Sequence, residues 1–538
     1  MEILRHPWLY LLLLTAVAST PLGARAVTIV YTNDILGELE PCGCRSNPTG
    51  GMVRKAAFID QLKKANPSEP LLQLDGGDLL FDSSTLPENL KPQAEVQARA
   101  LLAAHDAIGQ DAFVPGEKDF ALGTRKLKEL LRKSRTQALS TNLIDKKSGN
   151  PVFQTSKIYK FGKRKIAVIG VSGTDLSWPA DIKAAPAIES FRKEWKRLLA
   201  SSGKLDALVA LTHQGVDADR ELARAIPEID VIIGGHSQSF LQTPEKVEKP
   251  GGHGTLILQS SFRNQWVGKL PLDLKGRPIE AEHRLVQLDA GYEPEAGSPD
   301  PYGMKARVSR FKEEVAKTNE DLSLKQAKLS RVHSTESAVF QTFPKCAECH
   351  LKQFDFWRKT PHGGSYAALV AAQQAENQEC IVCHSAGFGK NGGWNDITKP
   401  AERSLLPAEG DKSGSTRTLG PAQITPFLEA LHEESKLTSK VRVEKEDPDK
   451  VTLLNATRQL SRVWVNVQCE SCHQPAGDHP FGEAPYSKTV ETETCLGCHT
   501  PARAPGWYST EGKLNSEKVL ESRKKVGCPA GTVNEEDL

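Results

Sequence analysis

The pentapeptide C-x-x-C-H occurs four times between Cys346 and His499, and it limits what this chain can fold around more than any other feature. The copies are Cys346-Ala-Glu-Cys349-His350, Cys380-Ile-Val-Cys383-His384, Cys469-Glu-Ser-Cys472-His473 and Cys495-Leu-Gly-Cys498-His499. With 11 cysteines and 14 histidines in 538 residues, chance supplies about 0.006 copies. In this motif the two thiols add across the vinyl groups of a haem and the histidine ligates its iron. The four copies therefore predict four covalently attached c-type haems. The remaining cysteines are Cys42, Cys44 and Cys528, too few for a disulfide framework.

A chain of this length predicts more than one domain, and a hydrophobic fraction of 38% suffices for globular cores. Net charge is +2, so no nucleic-acid partner is expected. Arg5 and His6, the apolar run from Trp8 to Ala18, and Ala24-Arg25-Ala26 form the parts of a secretory signal over residues 1–26. The run is shorter than the roughly 20 residues a spanning helix needs. The mature chain is expected to start at Val27, to have no membrane span and to work in the periplasm. Export agrees with haem attachment, because bare C-x-x-C thiols are handled outside the cytoplasm. No lipidation cysteine follows the signal.

From Val27 onward, apolar runs alternate with amphipathic stretches. VTIVYTND, LLQLDGGD, DAFVPGE, RKIAVIGVSG, LDALVALTH and IDVIIGGH read as buried strands, with QAEVQARALLAAHDAIG and TRKLKELLRK as helices between them. The alternation predicts an α/β domain. Asp34, Asp78, Glu117, His213 and His236 fall at strand ends. Sites collect at the carboxyl ends of strands in such sheets, so these five are expected to converge as metal ligands.

TIVYTND, GGMVRKAAFIDQL, LLQLDGGDLL, FVPGEKDF, ALVALTHQG, VIIGGHSQS and ILQSSFRNQWVGKL follow, in order, the blocks of the calcineurin-like metallophosphatases. Residues 27–275 resemble the periplasmic 5'-nucleotidase branch of that family, which implies a four-layer αββα sandwich with a two-metal phosphoesterase site. The match breaks at the ligands. Where the family has D-x-H, Leu36 follows Asp34; G-N-H-E becomes Gly116-Glu117-Lys118-Asp119; and G-H-x-H becomes His236-Ser237-Gln238. By the resemblance, one metal position retains only Asp34, Asp78 and the weak oxygen of Gln238. The other retains Asp78, Glu117, His213 and His236, two carboxylates and two imidazoles fit for one divalent ion: Zn, Mn or Fe.

Lys118 and His213 are the candidate catalytic groups. Lys118 can place positive charge on a phosphate, but a proton shuttle would need its pKa lowered by several units. A phosphoester is one expected ligand. A sulfur compound is another, because a sulfur-oxidising branch exists in the same family. Cys42-Gly43-Cys44 sits in the loop after the first strand, and three readings stay open: thiolates replacing lost imidazoles, a strained, easily reduced pair, or inert thiols.

After Leu274 the chain turns Pro-rich through GYEPEAGSPDPYG, and a helix is expected from Met304 to about Thr318. The expected domains are 27–300 metallophosphatase-like, 301–330 helical linker, 331–505 haem-binding and 506–538 flexible tail. The base-stacking second domain of the 5'-nucleotidases has no counterpart here. Instead, residues 340–505 resemble the tetrahaem cytochrome c-554 type, through KCAECHLKQFDFWRKTPHGGSYAAL and the blocks around the later motifs. That implies a mostly irregular or α-helical domain, with the haems supplying most of its apolar core. It also implies second axial ligands: His362 and His479 first, then His333 and His432. Two histidines per iron close it to substrates and suit electron transfer. A redox partner protein in the periplasm or membrane is expected, and Cys528 has no expected role.

Overall fold

Alternation of side chains along β1 (Arg25–Thr32) sets the layering of the first half. Val27, Ile29 and Tyr31 face one apolar cluster and Val30 faces another, the period of two that a strand buried on both sides requires. One six-stranded sheet runs β14 (Arg284–Gln287), β13 (Trp266–Asp273), β1, β2 (Leu71–Asp75), β3 (Ala112–Phe113), β4 (Gln137–Ala138). The second runs β11 (Glu245–Val247), β12 (Thr255–Leu258), β10 (Val231–Ile233), β9 (Ala207–His213), β7 (Arg164–Ser172), β6 (Ser156–Phe161). A separate pair joins β5 (Leu143–Asp145) and β8 (Ile182–Ala184).

These assignments come from a computed structural model that describes residues 25–41, 48–249, 254–273, 275–330, 340–390, 392–405, 415–419, 460–479, 487–501, 503–509 and 512–529. Cys42, Cys44, His333, His432 and the expected signal up to residue 24 lie outside the described residues. Arg25, placed before the expected start of the mature chain, already pairs with Asp273 in the first sheet.

The sheets pack face to face through Val27, Ile29, Leu72, Leu74, Val168, Val209, Val231 and Ile233. Helices α1 (Met52–Ala65), α2 (Lys91–Ile108) and α3 (Thr124–Leu131) cover one outer face, and α4 (Ala187–Ser202) and α5 (Val216–Ala225) the other. This is the expected αββα sandwich. Strands β1, β2 and β3 are parallel within the first sheet, as are β9 and β10 in the second. Their carboxyl ends carry all five candidate ligands.

The helix expected to stop near Thr318 runs on: α6 spans Met304–Ser330. Nothing from Asn319 to Ser330 breaks it, since neither Gly nor Pro occurs there. Nor is it a free linker. Met304, Val308, Phe311 and Val315, three or four residues apart, are buried, all but Val308 in the same cluster as α2, an amphipathic stripe.

The haem-binding half follows with α7 (Thr342–Cys349), α8 (Leu351–Trp357), α9 (Ser365–Ala371) and α10 (Gln378–Ile381). A three-stranded sheet, β16 (Ser415–Leu419), β15 (Ala401–Leu405), β17 (Leu460–Val463), was not expected. Here the expectation of a core made mostly by haem needs correction. Phe343, Phe354 and Trp357 meet with ring centroids 5.1 to 5.9 Å apart, and Tyr366, Trp394 and Val465 are buried beside them. The tail after Pro505 is also more ordered than expected. Trp507 stacks on His499 at 4.4 Å, and a helix over Ser516–Val526 is capped by the Asn515 side chain, which accepts from Lys518 N at 3.1 Å. No helix among the described residues is long and apolar enough to cross a membrane.

The halves are joined by buried amides. Gln93 on α2 donates to Asn377 Oδ1 at 2.6 Å and accepts from Asn319 of α6 at 2.7 Å and from the Gln378 backbone at 3.1 Å. Asn319 also donates to the Glu376 carbonyl at 2.8 Å, and Asn89 donates to Gln378 Oε1 at 2.8 Å. Such a network binds well only when complete. Asn319→Ala is therefore expected to destabilise the chain by about 1–3 kcal/mol, measured as a lowered urea midpoint with haem absorbance unchanged in native buffer.

Candidate metal centre and haem ligands

Asp34, Asp78 and His236 all adopt left-handed backbone, at φ 50°, 50° and 75°. Non-glycine residues take this conformation at a cost of roughly 1–2 kcal/mol each, and such strain gathers at functional sites. The loops are fixed by backbone bonds: Asp34 N donates to Gly77 O at 2.9 Å, and Arg263 N to Asp34 O at 2.7 Å. Leu36 and Gln238 are left-handed too, at 57° and 52°. The loop shape thus stays uniform at the positions where the resemblance places lost ligands.

His213 is fully buried. Its Nδ1–H donates to the Gly76 carbonyl at 2.7 Å, which aims Nε2 at Glu117 Oε2, 3.2 Å away, and at Asp78 Oδ1, 3.5 Å away. This is the arrangement by which proteins orient metal-bound imidazoles. His236 Nδ1 lies 3.6 Å from Glu117 Oε1. Glu117, His213 and His236 each offer a donor atom within 4.8 Å of the others, as do Asp34, Asp78 and His213. Glu117 Oε2, His213 Nε2, His236 Nδ1 and Asp34 Oδ1 are buried without a hydrogen bond. Orphaned donor atoms from both groups, which share His213, fit a metal cation, since buried polar atoms otherwise find partners. A Cβ on Gly116 would collide with Asp78 Oδ1 and His213 Nε2, and one on Gly77 with the His213 ring.

The electrostatics point the same way. Burial opposes charge on His213, but the carboxylates of Asp78, Glu117 and Asp34 outweigh it and hold the imidazole protonated well above its ordinary range. Burial raises Asp34 to about 7. Burial also pushes Glu117 up, yet the two imidazoles hold it well below the usual carboxylate range. A field that charges a buried imidazole favours a metal cation in the proton's place.

Lys118 closes the other side. Its ammonium pairs with Asp78 Oδ2, and its backbone N donates to Asp78 Oδ1 at 3.1 Å. Burial lowers its pKa, but Asp78 and Glu117 more than reverse that, so it is raised. This is the opposite of what a proton shuttle needs near neutral pH. Lys118 acts here as a fixed positive charge beside Asp78.

Two supporting residues were not singled out in the sequence. Asp119 accepts from Leu80 N at 2.8 Å and Gly116 N at 2.9 Å, which ties the Asp78 loop to the Glu117 loop. Asn33 donates to Asp34 Oδ2 at 2.8 Å and accepts from Ser260 N at 2.6 Å. Both stand inside recognised blocks, as neighbours of candidate ligands, which was the only signal available.

In the haem-binding half, motifs far apart in sequence interleave. The thiols of Cys346 and Cys469 meet, as do those of Cys383 and Cys498. His350 and His479 have ring centroids 6.1 Å apart, and His362 and His499 6.2 Å. Metal–imidazole bonds of about 2 Å on either side of an iron separate two such rings by about this distance. His362 thus faces the fourth motif rather than its nearest, and His479 faces the first. Burial, with His499 and His384 nearby, lowers His362 to about 4, and burial lowers His499, which favours the neutral form of both rings. His384 and His473 each donate from Nδ1 to a backbone carbonyl, Ser365 O at 2.9 Å and Ser487 O at 2.7 Å, which leaves Nε2 with the lone pair that iron takes. Burial raises the Cys528 thiol, and Cys469 lies close enough to raise it further.

Comparisons with known proteins divide the chain the same way. Residues 345–404 match the family model for cytochrome c554 and c-prime, and residues 464–504 match the doubled CXXCH motif. The chain is 30% identical to human 5'-nucleotidase over 343 residues, covering 57% of this chain and 56% of that protein. It is 29% identical to the 5'-nucleotidase of Vibrio vulnificus over 297 residues, covering 49% and 51%. The chain thus spans about half the length of the curated relatives it matches. Among solved structures, a 5'-nucleotidase precursor from Thermus thermophilus aligns at 24% identity over 54% of this chain and 59% of that chain, with a TM-score of 0.46. A sulfate thiohydrolase from Thermus thermophilus aligns at 21% over 54% and 60%, also at 0.46. The first half is homologous to 5'-nucleotidases, and the second carries cytochrome c motifs that imply covalent haem.

Gly116→Ala is expected to weaken metal binding roughly tenfold or more, while Gly506→Ala, whose Cβ would meet nothing within 4 Å, leaves it intact. Metal content after dialysis against a limiting chelator distinguishes the two.

Proposed function

We propose that this chain is an exported, periplasmic electron carrier in which four c-type haems are docked on a 5'-nucleotidase-like domain that holds one divalent metal. The carrying observation is the facing of His350 with His479 and of His362 with His499 at ring separations of 6.1 and 6.2 Å. An iron between two imidazoles has no open position, which suits it to pass electrons rather than bind substrate. The interleaving of first with third and second with fourth motifs brings haems close enough to exchange electrons. A periplasmic or membrane redox protein would complete the circuit.

Asp78, Glu117, His213 and His236 would hold the metal, and Lys118 would stay a cation beside it. A metal there supplies Lewis acidity to a bound oxygen atom. A second reading, phosphoester hydrolysis, draws support from the convergent Glu117, His213 and His236 donors. Against it stands the Lys118 ammonium at the position of the family's catalytic histidine, paired with Asp78 and raised in pKa rather than poised to move protons.

Two measurements test the proposal on haem-loaded, exported protein. Carbon monoxide is expected to leave the reduced haems of the two facing pairs unreacted, while His479→Ala and His362→Ala each open one further haem to it. Carbon monoxide binding by every haem of the native chain would refute the ligand assignment. Phosphoester turnover with added Mn or Zn is expected to match that of a His213→Ala variant; turnover well above that variant would make the hydrolase reading the correct one.

A further inference from the structure

We infer that Trp507 is a positioning residue for the haem of Cys495 and Cys498: stacked on His499, it fixes the plane of that iron ligand and gives this fourth haem a ferric spectrum and a potential of its own. The inference rests on the axial pairing proposed above and deepens it by naming what makes the two facing pairs unlike.

The pairs differ in ring orientation. The planes of His350 and His479 lie 17° apart, close to parallel, whereas those of His362 and His499 lie 55° apart. An imidazole gives π electrons to the iron d orbital set by the direction of its ring plane. Parallel rings feed one orbital and crossed rings feed two, so the two low-spin ferric irons carry different magnetic signatures.

The stack on His499 carries the assignment. The indole of Trp507 covers the imidazole with ring centroids 4.4 Å apart and planes 15° apart, an aromatic pair at close range. Turning the imidazole about its bond to Cβ would drive its edge into the indole. His384 and His473 are turned another way, by hydrogen bonds from Nδ1 to backbone carbonyls. In each case a neighbour outside the motif orients the ligand.

Trp507 is itself anchored. Its Nε1–H donates to Ser522 Oγ at 3.2 Å, on the helix Ser516–Val526, and its carbonyl accepts from Asn515 N at 2.7 Å. The Tyr508 hydroxyl donates to the His499 carbonyl at 2.7 Å. Arg523, beside Ser522, donates to Thr492 Oγ1 at 2.8 Å, three residues before Cys495. The segment after the fourth motif therefore grips that motif at both ends, through Thr492 and through His499.

The indole also screens the ligand from water. A ferric haem carries one more positive charge than a ferrous one, and water favours the more charged state. An apolar cover over His499 thus raises the potential of this haem.

The test uses the full, haem-loaded chain. In the oxidised native protein, electron paramagnetic resonance is expected to show two different low-spin signals from the facing pairs, one lost in His362→Ala and the other in His479→Ala. Trp507→Ala is expected to move the signal that His362→Ala removes and to lower the midpoint potential of the same haem. The other pair is expected to stay unchanged. Trp507→Phe, which keeps a flat face over His499, is expected to remain close to native in both readouts. Trp507→Leu keeps apolar bulk without a flat face and is expected to move the signal as well, which covers an alanine variant that fails to retain haem. A fourth-haem signal unmoved in Trp507→Ala and Trp507→Leu, one moved as far by Trp507→Phe, or equal shifts in both pairs would each overturn the inference. Haems of the facing pairs that stay closed to carbon monoxide would then still support the electron-carrier reading, so the two fail separately.

Discussion

A buried carboxylate at the meeting point of the two sheets, Asp78, holds the first half of the molecule in register. Its side chain is fully buried, and a charge there is tolerable only when paired and hydrogen-bonded. Lys118 supplies an ammonium and a backbone N–H from the loop after β3, and His213 approaches from the end of β9 in the opposite sheet. Burial pushes the carboxyl up, but His213 and Lys118 bring it below its usual range. One residue thus makes the two sheets depend on each other at their carboxyl edge, and the strained turns at Asp34, Asp78 and His236 persist because these contacts leave them no alternative.

How much of this was legible in the sequence depends on whether the signal was local. Strands with apolar runs ending in Asp, Glu or His could be placed by pattern, and their convergence followed from the rule that parallel strands present their carboxyl ends together. The haem motifs were legible because their chemistry lies within five residues. The partner of each imidazole was not, because His362 meets His499 and His479 meets His350 only through the tertiary fold. Helix α6 was cut short because its charged surface obscured a buried stripe that continues through Asn319 and Ser323. The Gln93, Asn319 and Gln378 network was invisible for a related reason: amides read as surface residues until other amides are found opposite them.

That network gives the haem half a defined footing on the sandwich. Asn377 and Gln378 lie three and two residues before Cys380, so the amides that contact α2 and α6 also position the second haem motif. Neutral amides suit this task, since they fix register through several directional bonds without the desolvation cost of burying ions. Around them, Glu38, Asp82 and Glu379 face Arg263 and Arg503, and burial together with Asp82 and Glu38 raises Glu379 to about 7. Charge on this interface is therefore balanced closely, next to a cofactor whose own charge changes with its oxidation state.

On the proposed one-metal reading, the same balance would set the centre apart from the two-metal chemistry that the family resemblance implies. Capturing a phosphate dianion calls for surplus positive charge, which two divalent ions among few carboxylates provide. Here Glu117 adds a carboxylate and Lys118 an ammonium, so that with Asp34 and Asp78 charged the total would come to zero with one divalent metal bound. A neutral centre would hold a dianion less firmly than a positive one, and Lys118, paired with Asp78, is held protonated above its ordinary range.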